Sequence, residues 1–332
     1  MQKKVSIIVP CYNNGATILE TLHSLDAQTH HDWEALFVDD GSSDETASIV
    51  EKYSAQDNRI RYIKRECEEK GGSVCRNIGL EHSIGEYVMF LDADDLLTPV
   101  CLQHRLNYME GTDNEFAVFT TATFGTSGIL NPSAFPTVIN NNKEIYTYLY
   151  AGTQAVWHTS STLFRRSFVV GIGGFDAHYK RLQDVEFHFR AIVESMGKYE
   201  VVREPYTSLY RVTETNEIKY QKFADSLLSY SMMSDKIEEY IENGLLQNDK
   251  KMSRAYLLLC TRYVRTISLL RHGGLIKEGK LNMEMSWMKA SLLSSFHLFV
   301  LNIMKMFLGN PVICMRLCKT VDYLLRKSIV AR

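Results

Sequence analysis

The first hundred residues alternate short runs of β-branched and aromatic residues with stretches in which apolar residues recur every three or four positions. Runs of the first kind predict strands, and the second pattern predicts amphipathic helices. Four strands are predicted in this way, at residues 5–9, 34–38, 60–63 and 87–91. Because a helical pattern separates each strand from the next, this order favours a parallel α/β sheet.

The middle of the chain, roughly residues 100–215, has a mixed pattern. Residues 116–120 predict a further strand, whereas residues 125–143 predict loops because they are rich in Gly, Asn, Pro and Ser. Residues 184–196 predict a helix, and from about residue 216 onward the pattern is helical throughout. We therefore expect a domain over residues 1–215 and a helical C-terminal region over residues 216–332.

Composition narrows the class of protein. The 332 residues are 45% hydrophobic and 23% charged, which is ordinary for a globular protein and disfavours collagen, coiled coil and disorder. Seven scattered cysteines, an odd number, indicate a reduced cytosolic protein rather than a disulfide scaffold. The apolar run that follows the N-terminus is too short for a secretion signal.

The net charge of −2 hides a strong asymmetry along the chain. Residues 240–332 hold 15 Lys and Arg against 5 Asp and Glu, a net charge of +10. A basic segment of this kind binds anionic lipid, nucleic acid or an acidic surface of its own chain. Nucleic acid is the weakest of these partners, because basic and aromatic residues do not interleave here.

An apolar stretch lies inside this basic region. It runs over residues 290–304, shorter than the ~20 residues that a membrane-spanning helix needs. If residues 290–308 are helical, a narrow polar stripe interrupts an otherwise apolar surface, and four cations follow at Arg316, Lys319, Arg326 and Lys327. Two interpretations stay open: a helix lying peripherally on an anionic membrane surface, or a helix buried against the catalytic domain or a dimer mate.

Polar segments follow three of the predicted strands. They begin at Pro10, Asp39 and Asp92, and in an open parallel sheet ligands bind beyond the carboxyl ends of the strands. The first segment lacks G-x-G-x-x-G, and the chain lacks the P-loop pattern. Dinucleotide binding and P-loop nucleotide hydrolysis are therefore disfavoured.

Individual residues in these segments suggest chemistry, each with a plainer alternative. Asp92 and Asp94, two positions apart, can hold Mg²⁺ or Mn²⁺ together with diphosphate oxygens, or they form a solvated acidic turn. One of the carboxylates of DDGSSD, residues 39–44, can accept the N–H of a pyrimidine on which Tyr12 stacks, or the segment is only a polar loop. Arg76 can pair with a phosphate, or it is a surface arginine.

Asp184 opens the predicted helix of residues 184–196. It is either a first-turn acid that stabilises the helix or a general base. The rival carboxylate, Glu186, has Arg190 four residues later as a partner. The glycine-rich segment GIGGFDAHY, which precedes Asp184, is a candidate for a movable loop over the substrate.

Five segments together resemble a known family. They are VSIIVPCYNN, FVDDGSSDET, GGSVCRNIGL, YVMFLDADDLLTP and GGFDAHYKRLQDVEFHFRA, and they occur in the order and spacing of the family-two inverting glycosyltransferases. The resemblance covers about residues 4–215. It implies a GT-A fold, with a nucleotide-binding half over about residues 1–100 and an acceptor half over residues 100–215. It also implies a nucleotide-sugar donor, commonly a UDP-sugar, a divalent cation, and a hydroxyl acceptor such as a lipid-linked glycan in bacterial cell-surface polysaccharide synthesis.

The resemblance also implies roles for residues that occupy matching positions. These are Pro10, Tyr12, Asp40, Arg76 and Asp92 for the nucleotide, Asp92 and Asp94 for the metal, and Asp184 for the base. Two positions depart from the family pattern. Gln183 stands where the family often has Glu, and Thr213 stands where many members have His after Tyr-Arg-x.

The leading functional hypothesis is thus inverting glycosyl transfer from a nucleotide sugar to a hydroxyl group. A nucleotidyltransferase is the alternative enzyme, although such enzymes usually need a basic glycine-rich loop after the first strand, and PCYNNGATI contains no basic residue. A third alternative is a non-catalytic scaffold that binds nucleotide or a partner enzyme. The three acids Asp92, Asp94 and Asp184 weigh against it.

Overall fold

A computed structural model of the chain describes residues 4–138, 140, 142–203, 205–212, 220–272, 288, 292–293, 295–306, 308 and 311–330. The chain forms two compact units. The first comprises residues 1–139, 156–177 and 194–215, and the second comprises residues 140–155, 178–193 and 216–332. A boundary after residue 215 stays a prediction, since that position lies outside the described residues. The second unit is larger than the predicted C-terminal region, because it also includes residues 140–155 and 178–193.

Within the described residues, the strands all belong to the first unit. They are β1 (Val5–Cys11), β2 (Trp33–Asp39), β3 (Ile60–Lys64), β4 (Tyr87–Phe90), β5 (Leu96–Leu97), β6 (Phe116–Val118), β7 (Thr121–Gly125), β8 (Gly128–Phe135), β9 (Thr162–Arg165), β10 (Tyr199–Val201) and β11 (Ser208–Arg211). Seven form a sheet in the order β10-β6-β9-β4-β1-β2-β3, and four form a second sheet in the order β5-β11-β7-β8. In the larger sheet β9 runs antiparallel to both neighbours and the other pairs are parallel.

Helices occur in both units. They are α1 (Ile18–Asp26), α2 (Thr46–Ser54), α3 (Gly72–His82), α4 (Cys101–Met109), α5 (Glu144–Ala151), α6 (Arg166–Gly171), α7 (Gln183–Glu194), α8 (Tyr220–Glu242), α9 (Lys250–His272), α10 (Ser295–Met306) and α11 (Pro311–Val330). The mostly parallel sheet with flanking helices and the helical C-terminal region are therefore confirmed.

The central strands of the larger sheet are buried on both faces. Every residue of β2 is buried, as expected where helices cover both sides of a parallel sheet. Val5, Ile7 and Val9 of β1 share one core with apolar residues of α1, α2 and α4. Ile8 points to the opposite face, where it meets α3. The first unit is therefore a three-layer α/β structure.

One loop prediction is wrong. Within residues 125–143, which were expected to be loops, residues 128–135 form β8, an edge strand that pairs antiparallel with β7. Six of its eight residues are exposed, so the strand needs few apolar residues. Pro132 is tolerated because an edge strand has one side without ladder hydrogen bonds. Pairing with β7 outweighs the loop-like composition.

Helix α9 is the centre of the second unit. Helices α5, α8, α10 and α11 pack against it, and its buried residues include Tyr256, Leu259 and Val264. The hydroxyl groups of Ser234 on α8 and Tyr256 on α9 lie 2.7 Å apart in this core. Seven consecutive residues of α9, 255–261, are buried, so this part of the helix is covered on every side.

Helix α10 carries most of the described part of the apolar stretch near residue 300. It packs against α9 and α11, and the nearby residues Leu292, Leu301, Met304 and Leu308 are buried. The stretch is thus partly buried, against α9 and α11 rather than against the catalytic domain or a dimer mate that the buried interpretation named. Among the helices in the described ranges, none combines the length and the apolar character that crossing a bilayer requires.

The close approach of α3 to β1 depends on Gly79. A Cβ atom at this position would lie 2.4 Å from Cγ2 of Ile8, closer than packed carbon atoms tolerate. We expect Gly79→Ala to force α3 away from the sheet and to lower the free energy of unfolding by about 1–3 kcal/mol. Urea unfolding followed by circular dichroism measures this loss.

The matched control for Gly79→Ala is Gly171→Ala at the end of α6. A Cβ atom at Gly171 meets no atom within 4 Å, so this substitution should leave stability unchanged or raise it slightly. Equal stability of Gly79→Ala and the wild-type chain would show that the contact with Ile8 relaxes at no cost.

Candidate active site

A cavity of about 250 Å³ opens at the carboxyl ends of β1, β2 and β4. Its lining residues come from the segments after these strands and from the start of α3. They are Pro10, Cys11, Tyr12, Asn14, Asp40, Gly72, Cys75, Arg76, Asp92, Ala93 and Asp94. The structure therefore brings together in one cavity the six residues predicted to bind nucleotide and metal.

The convergence of these residues follows from the sheet. β1 lies between β2 and β4 and is parallel to both, so the three chain segments leave the sheet at one edge. Cys11 is the register partner of Asp39, which places the segments after β1 and β2 side by side. Asp92 follows two residues after β4 ends.

The loops after β1 and β2 hold each other in place. The Asn13 amide donates to Oγ of Ser42 at 3.0 Å, and the Ser43 amide donates to Oδ1 of Asn13 at 2.8 Å. The Ser42 hydroxyl donates in turn to Oδ1 of Asp39. These bonds fix the backbone next to Tyr12, whose side chain is 58% exposed. The Tyr12 ring thus stands open to a planar ligand.

Asp40 is held by a cation that sequence reasoning missed. Nε of Arg65, just after β3, donates to Oδ1 of Asp40 at 2.6 Å, and the Gly71 amide donates to Oδ2 at 3.0 Å. The Arg65 side chain is almost fully buried. Its guanidinium also donates to the Cys67 carbonyl. Both carboxylate oxygens of Asp40 therefore have donors, and the group is fixed beside the cavity.

Arg76 and Asp92 form an ion pair across the cavity wall. A terminal guanidinium nitrogen of Arg76 lies 2.7 Å from Oδ1 of Asp92, and the guanidinium lies over the Phe175 ring. Burial acts to raise the pKa of Asp92, but the charges of Arg76 and His158 outweigh it and hold the pKa below its usual value. Asp92 is therefore ionised at neutral pH.

The acidic turn after β4 alternates in exposure. Asp92 and Asp94 are half-buried and line the cavity, whereas Asp95 is buried. Burial and the charge of Asp92 raise the pKa of Asp94, and the same two causes raise the pKa of Asp95 further. The turn thus concentrates negative charge that a cation would stabilise.

Asp95 is buried among groups from distant parts of the chain. Its carboxylate accepts hydrogen bonds from the Ser160 hydroxyl at 3.2 Å and from the Arg211 amide at 3.0 Å. Nδ1 of His158 lies 3.4 Å from Oδ2 of Asp95, and Nε2 lies 3.7 Å from Oδ2 of Asp92.

These contacts create a second arrangement with metal-ligating chemistry. One ligand atom each from Asp92, Asp95 and His158 lie within 4.8 Å of one another, and Asp94 is not part of this group. Sequence reasoning missed His158, because nothing in the local pattern links it to the acidic turn. It likewise noted Arg211 only as part of a pattern, whereas the Arg211 Nε also donates to the carbonyl of Asp94 at 2.8 Å.

The glycine-rich segment before Asp184 is partly anchored. Asn77 on α3 accepts a hydrogen bond from the Phe175 amide at 2.8 Å and donates to its carbonyl at 2.7 Å. Gly174 has a φ of +65°, and a Cβ atom there would lie 2.5 Å from Oδ1 of Asn77. Helix α3 therefore holds Gly174 and Phe175 in this structure, while movement of the segment over a substrate stays a prediction.

Asp184 belongs to the second unit. It is the second residue of α7 and is half-buried. Glu186, its rival, is buried and accepts from Arg190 at 2.7 and 2.9 Å, as the sequence spacing predicted. Thr213, the second departure from the family pattern, lies outside the described residues. The assignment of the base to Asp184 stays a prediction.

Two thiols in the cavity wall are unsuited to nucleophilic catalysis. Burial raises the pKa of Cys75 to about 12, and burial together with Asp39 raises the pKa of Cys11 still further. Neither is a thiolate at neutral pH. Of the seven cysteines, Cys67 is exposed and the other six are buried.

This difference predicts selective thiol labelling. In the folded chain, iodoacetamide should modify Cys67 and leave the six buried cysteines intact, whereas all seven should react after denaturation. Peptide mass spectrometry over a time course measures both outcomes. Labelling of Cys11 or Cys75 at the rate of Cys67 would contradict the burial of the cavity wall.

Comparison with known families agrees with this arrangement. Residues 6–170, about half of the chain, match the family described as Glycosyl transferase family 2. The chain belongs to this family. The matched range contains Asp40, Arg76, Asp92 and Asp94, together with His158.

Curated relatives match parts of the chain. The putative teichuronic acid biosynthesis glycosyltransferase TuaG of Bacillus subtilis is 42% identical over 105 residues, which is 32% of this chain and 41% of TuaG. The chain covers between 24% and 41% of the length of the first curated relatives that it matches. The activity, substrates and partners of the whole protein are therefore proposals.

Solved structures share the fold over nearly the whole chain. TarS of S. aureus (residues 1–349, with UDP-GlcNAc) has a TM-score of 0.63 and 19% identity, and the match covers 98% of this chain and 92% of that one. The mannosyltransferase PcManGT from Pyrobaculum calidifontis, with GDP-Man and Mn²⁺, has a TM-score of 0.55 and 15% identity, over 97% and 88% of the two chains. At these identities the likeness shows the GT-A fold alone.

Proposed function

We propose that this chain transfers a sugar from a nucleotide-sugar donor, a UDP-sugar, to a hydroxyl acceptor with inversion at the anomeric carbon and with the help of a divalent cation. The observation that carries the proposal is the convergence of Pro10, Tyr12, Asp40, Arg76, Asp92 and Asp94 on one cavity. Membership of glycosyl transferase family 2 supports the reaction class.

The lining of the cavity supports this proposal for each part of a nucleoside diphosphate. The exposed Tyr12 ring offers a stacking surface for the base, and Asp40 stands beside it as an acceptor for a base N–H. Arg76 keeps donors beyond the one that it gives to Asp92, so its guanidinium suits a phosphate oxygen. We assign to Asp92 either a hydrogen bond from a ribose hydroxyl or a place among the ligands of the cation.

A divalent cation fits the acidic turn. Asp94 has a raised pKa because its ionised form is buried near Asp92, and a cation bound between them would favour ionisation of both. Mn²⁺ and Mg²⁺ match such oxygen ligands, and the bound ion would neutralise the departing diphosphate. We propose Asp92 and Asp94 as ligands, because both line the cavity while Asp95 already accepts from two donors.

Asp184 is proposed as the general base. A direct displacement needs a group that takes the proton of the acceptor hydroxyl as attack develops. Asp184 lies in the first turn of α7 and is half-buried, so its carboxylate stays partly accessible. Glu186 is a weaker candidate, because Arg190 occupies both of its oxygens.

The acceptor is proposed by class. TuaG, named for teichuronic acid biosynthesis, supports a role in assembling a cell-surface polysaccharide, and hence an acceptor that is a growing or lipid-linked glycan. A nucleotidyltransferase is less well supported. The segment Cys11–Gly15 after β1 contains no basic residue, and several of its amides are bound within the two loops.

A panel of nucleotide sugars incubated with Mn²⁺ tests the proposal. Slow metal-dependent release of UDP is the expected result, because water replaces the absent acceptor. Pyrophosphate released from a nucleoside triphosphate would favour nucleotidyl transfer instead. If neither UDP nor pyrophosphate is released, although a thermal-shift assay shows that nucleotide binds, a non-catalytic scaffold would be favoured.

Neutralising the proposed base should separate chemistry from binding. We expect Asp184→Asn to lower the rate of transfer by about 10²–10⁴-fold, because an amide cannot take the hydroxyl proton. Donor and metal affinity should stay near those of the wild-type chain, as measured by calorimetry. Glu186→Gln is the matched control: it should lower stability while transfer per folded molecule persists. The reverse pattern would move the role to Glu186.

Substitutions of two neighbouring acids in the turn after β4 test which residues ligate the metal. Asp94→Asn should weaken Mn²⁺ binding at least tenfold, which a Mn²⁺ titration followed by electron paramagnetic resonance measures, since it removes a ligand charge. Asp95→Asn should mainly lower the melting temperature, because it disturbs the bonds to Ser160 and Arg211. Loss of Mn²⁺ affinity in Asp95→Asn and His158→Gln, but not in Asp94→Asn, would place the ion among Asp92, Asp95 and His158.

A further inference from the structure

Helix α11 exposes one continuous face. Seven of its side chains are exposed: Ile313, Arg316, Lys319, Thr320, Tyr323, Leu324 and Lys327. Their spacing of three and four residues places them within an arc of about 140° at 100° per residue. We call these seven residues the α11 face. It combines three large apolar side chains with three cations.

The opposite side of α11 is in the core of the second unit. Cys314, Cys318, Leu325 and Ile329 are buried, and the helix packs against α5, α9 and α10. This packing fixes the rotation of the helix about its axis. The α11 face therefore points away from the buried side of the helix.

The acid of this helix is not on the α11 face. Asp322 is mostly buried and is paired with Arg262 of α9 at 3.2 Å and with Arg326 at 2.6 Å. Among the described side chains of α11, the exposed ones include no Asp or Glu. The outward charge of the helix is thus uniformly positive.

We propose that the α11 face docks on the surface of an anionic lipid bilayer. Basic side chains attract the anionic headgroups, while Ile313, Tyr323 and Leu324 enter the boundary between headgroups and acyl chains. The net charge of +10 over residues 240–332 adds attraction at longer range. This inference does not depend on the proposed reaction.

Charge and shape favour lipid over the other occupants. A second copy of the chain, seated on the same face by two-fold symmetry, would bring three cations against three cations. Nucleic acid would satisfy the cations but would leave Ile313 and Leu324 against phosphates and sugars. A bilayer surface satisfies both kinds of side chain. The exposed fractions of Tyr323 and Leu324, 64% and 56%, are large enough for this insertion.

Sedimentation of the full chain with vesicles tests the proposal. The wild-type chain should bind vesicles of equal parts phosphatidylglycerol and phosphatidylcholine at low salt, and should bind pure phosphatidylcholine weakly. Binding should fall at about 1 M salt, where the Debye length is about 3 Å. The triple variant Arg316→Gln, Lys319→Gln, Lys327→Gln should partition about a hundredfold more weakly, or about fivefold for each charge.

Two matched controls separate the α11 face from general effects. The triple variant Lys52→Gln, Lys198→Gln, Lys250→Gln removes three exposed cations elsewhere and should bind within a few-fold of the wild-type chain. Leu324→Ser should weaken binding, whereas Leu228→Ser on α8, which alters a side chain of similar exposure at 58%, should not. Circular dichroism confirms that each variant is folded.

Several outcomes would overturn the proposal. One is that the wild-type chain fails to sediment with anionic vesicles at low salt. Another is that both triple variants lose binding equally. A homodimer in analytical ultracentrifugation that Leu324→Ser dissociates would assign the face to a second copy. Tighter binding to RNA than to anionic vesicles, abolished by the α11 triple variant, would assign it to nucleic acid.

Discussion

The carboxylates in the turn after β4 repel one another, and the site in the first unit depends on groups that offset this repulsion. Asp92, Asp94 and Asp95 lie within four residues, and burial makes their ionised forms costly. The chain meets this cost with groups from several elements: Arg76 from α3 pairs with Asp92, and the Arg211 amide on β11 donates to Asp95. A cation is the remaining means of relief, and the cavity beside Asp94 is open to one.

Much of the surrounding structure serves to deliver those groups. Gly79 lets α3 lie close to β1, which fixes the height at which Arg76 enters the cavity wall. Asn77, on the same helix, ties the Gly174–Phe175 segment to α3. Arg65 forms an ion pair with Asp40, as Arg76 does with Asp92. Asp40 and Asp92 thus each have a largely buried arginine as a partner. Their arrangement is therefore fixed before any ligand binds.

The second unit divides its cations between its core and its surface. Arg262, within the core around α9, is compensated by Asp322. Arg316, Lys319 and Lys327 stand on the opposite side of α11 among exposed apolar residues. The basic excess of the C-terminal third therefore reaches the surface as an amphipathic helix face. Such a face has a chemistry that differs from both a helix core and a fully hydrated surface.

The sequence by itself determined the strands β1 to β4, the alternation with helices, and the polar segments that line the cavity. Parallel strands with both faces buried need continuous apolar runs, and their carboxyl ends must meet at one edge. Those two facts suffice to place Pro10, Tyr12, Asp40, Asp92 and Asp94 together. The pairing of Glu186 with Arg190 was predictable for a separate reason: the two residues lie one helical turn apart.

Only the tertiary structure decided the partners of the acids and the outward face of the C-terminal helices. Arg65, His158 and Arg211 reach the site from positions 25 or more residues away from their partners, and no local period encodes such contacts. β8 formed against its composition because β7 offered it a pairing edge. The apolar stretch near residue 300 and the exposed face of α11 are both amphipathic in sequence. Packing around α9 decided which of them is buried, because a helix rotates until its neighbours cover the larger apolar surface.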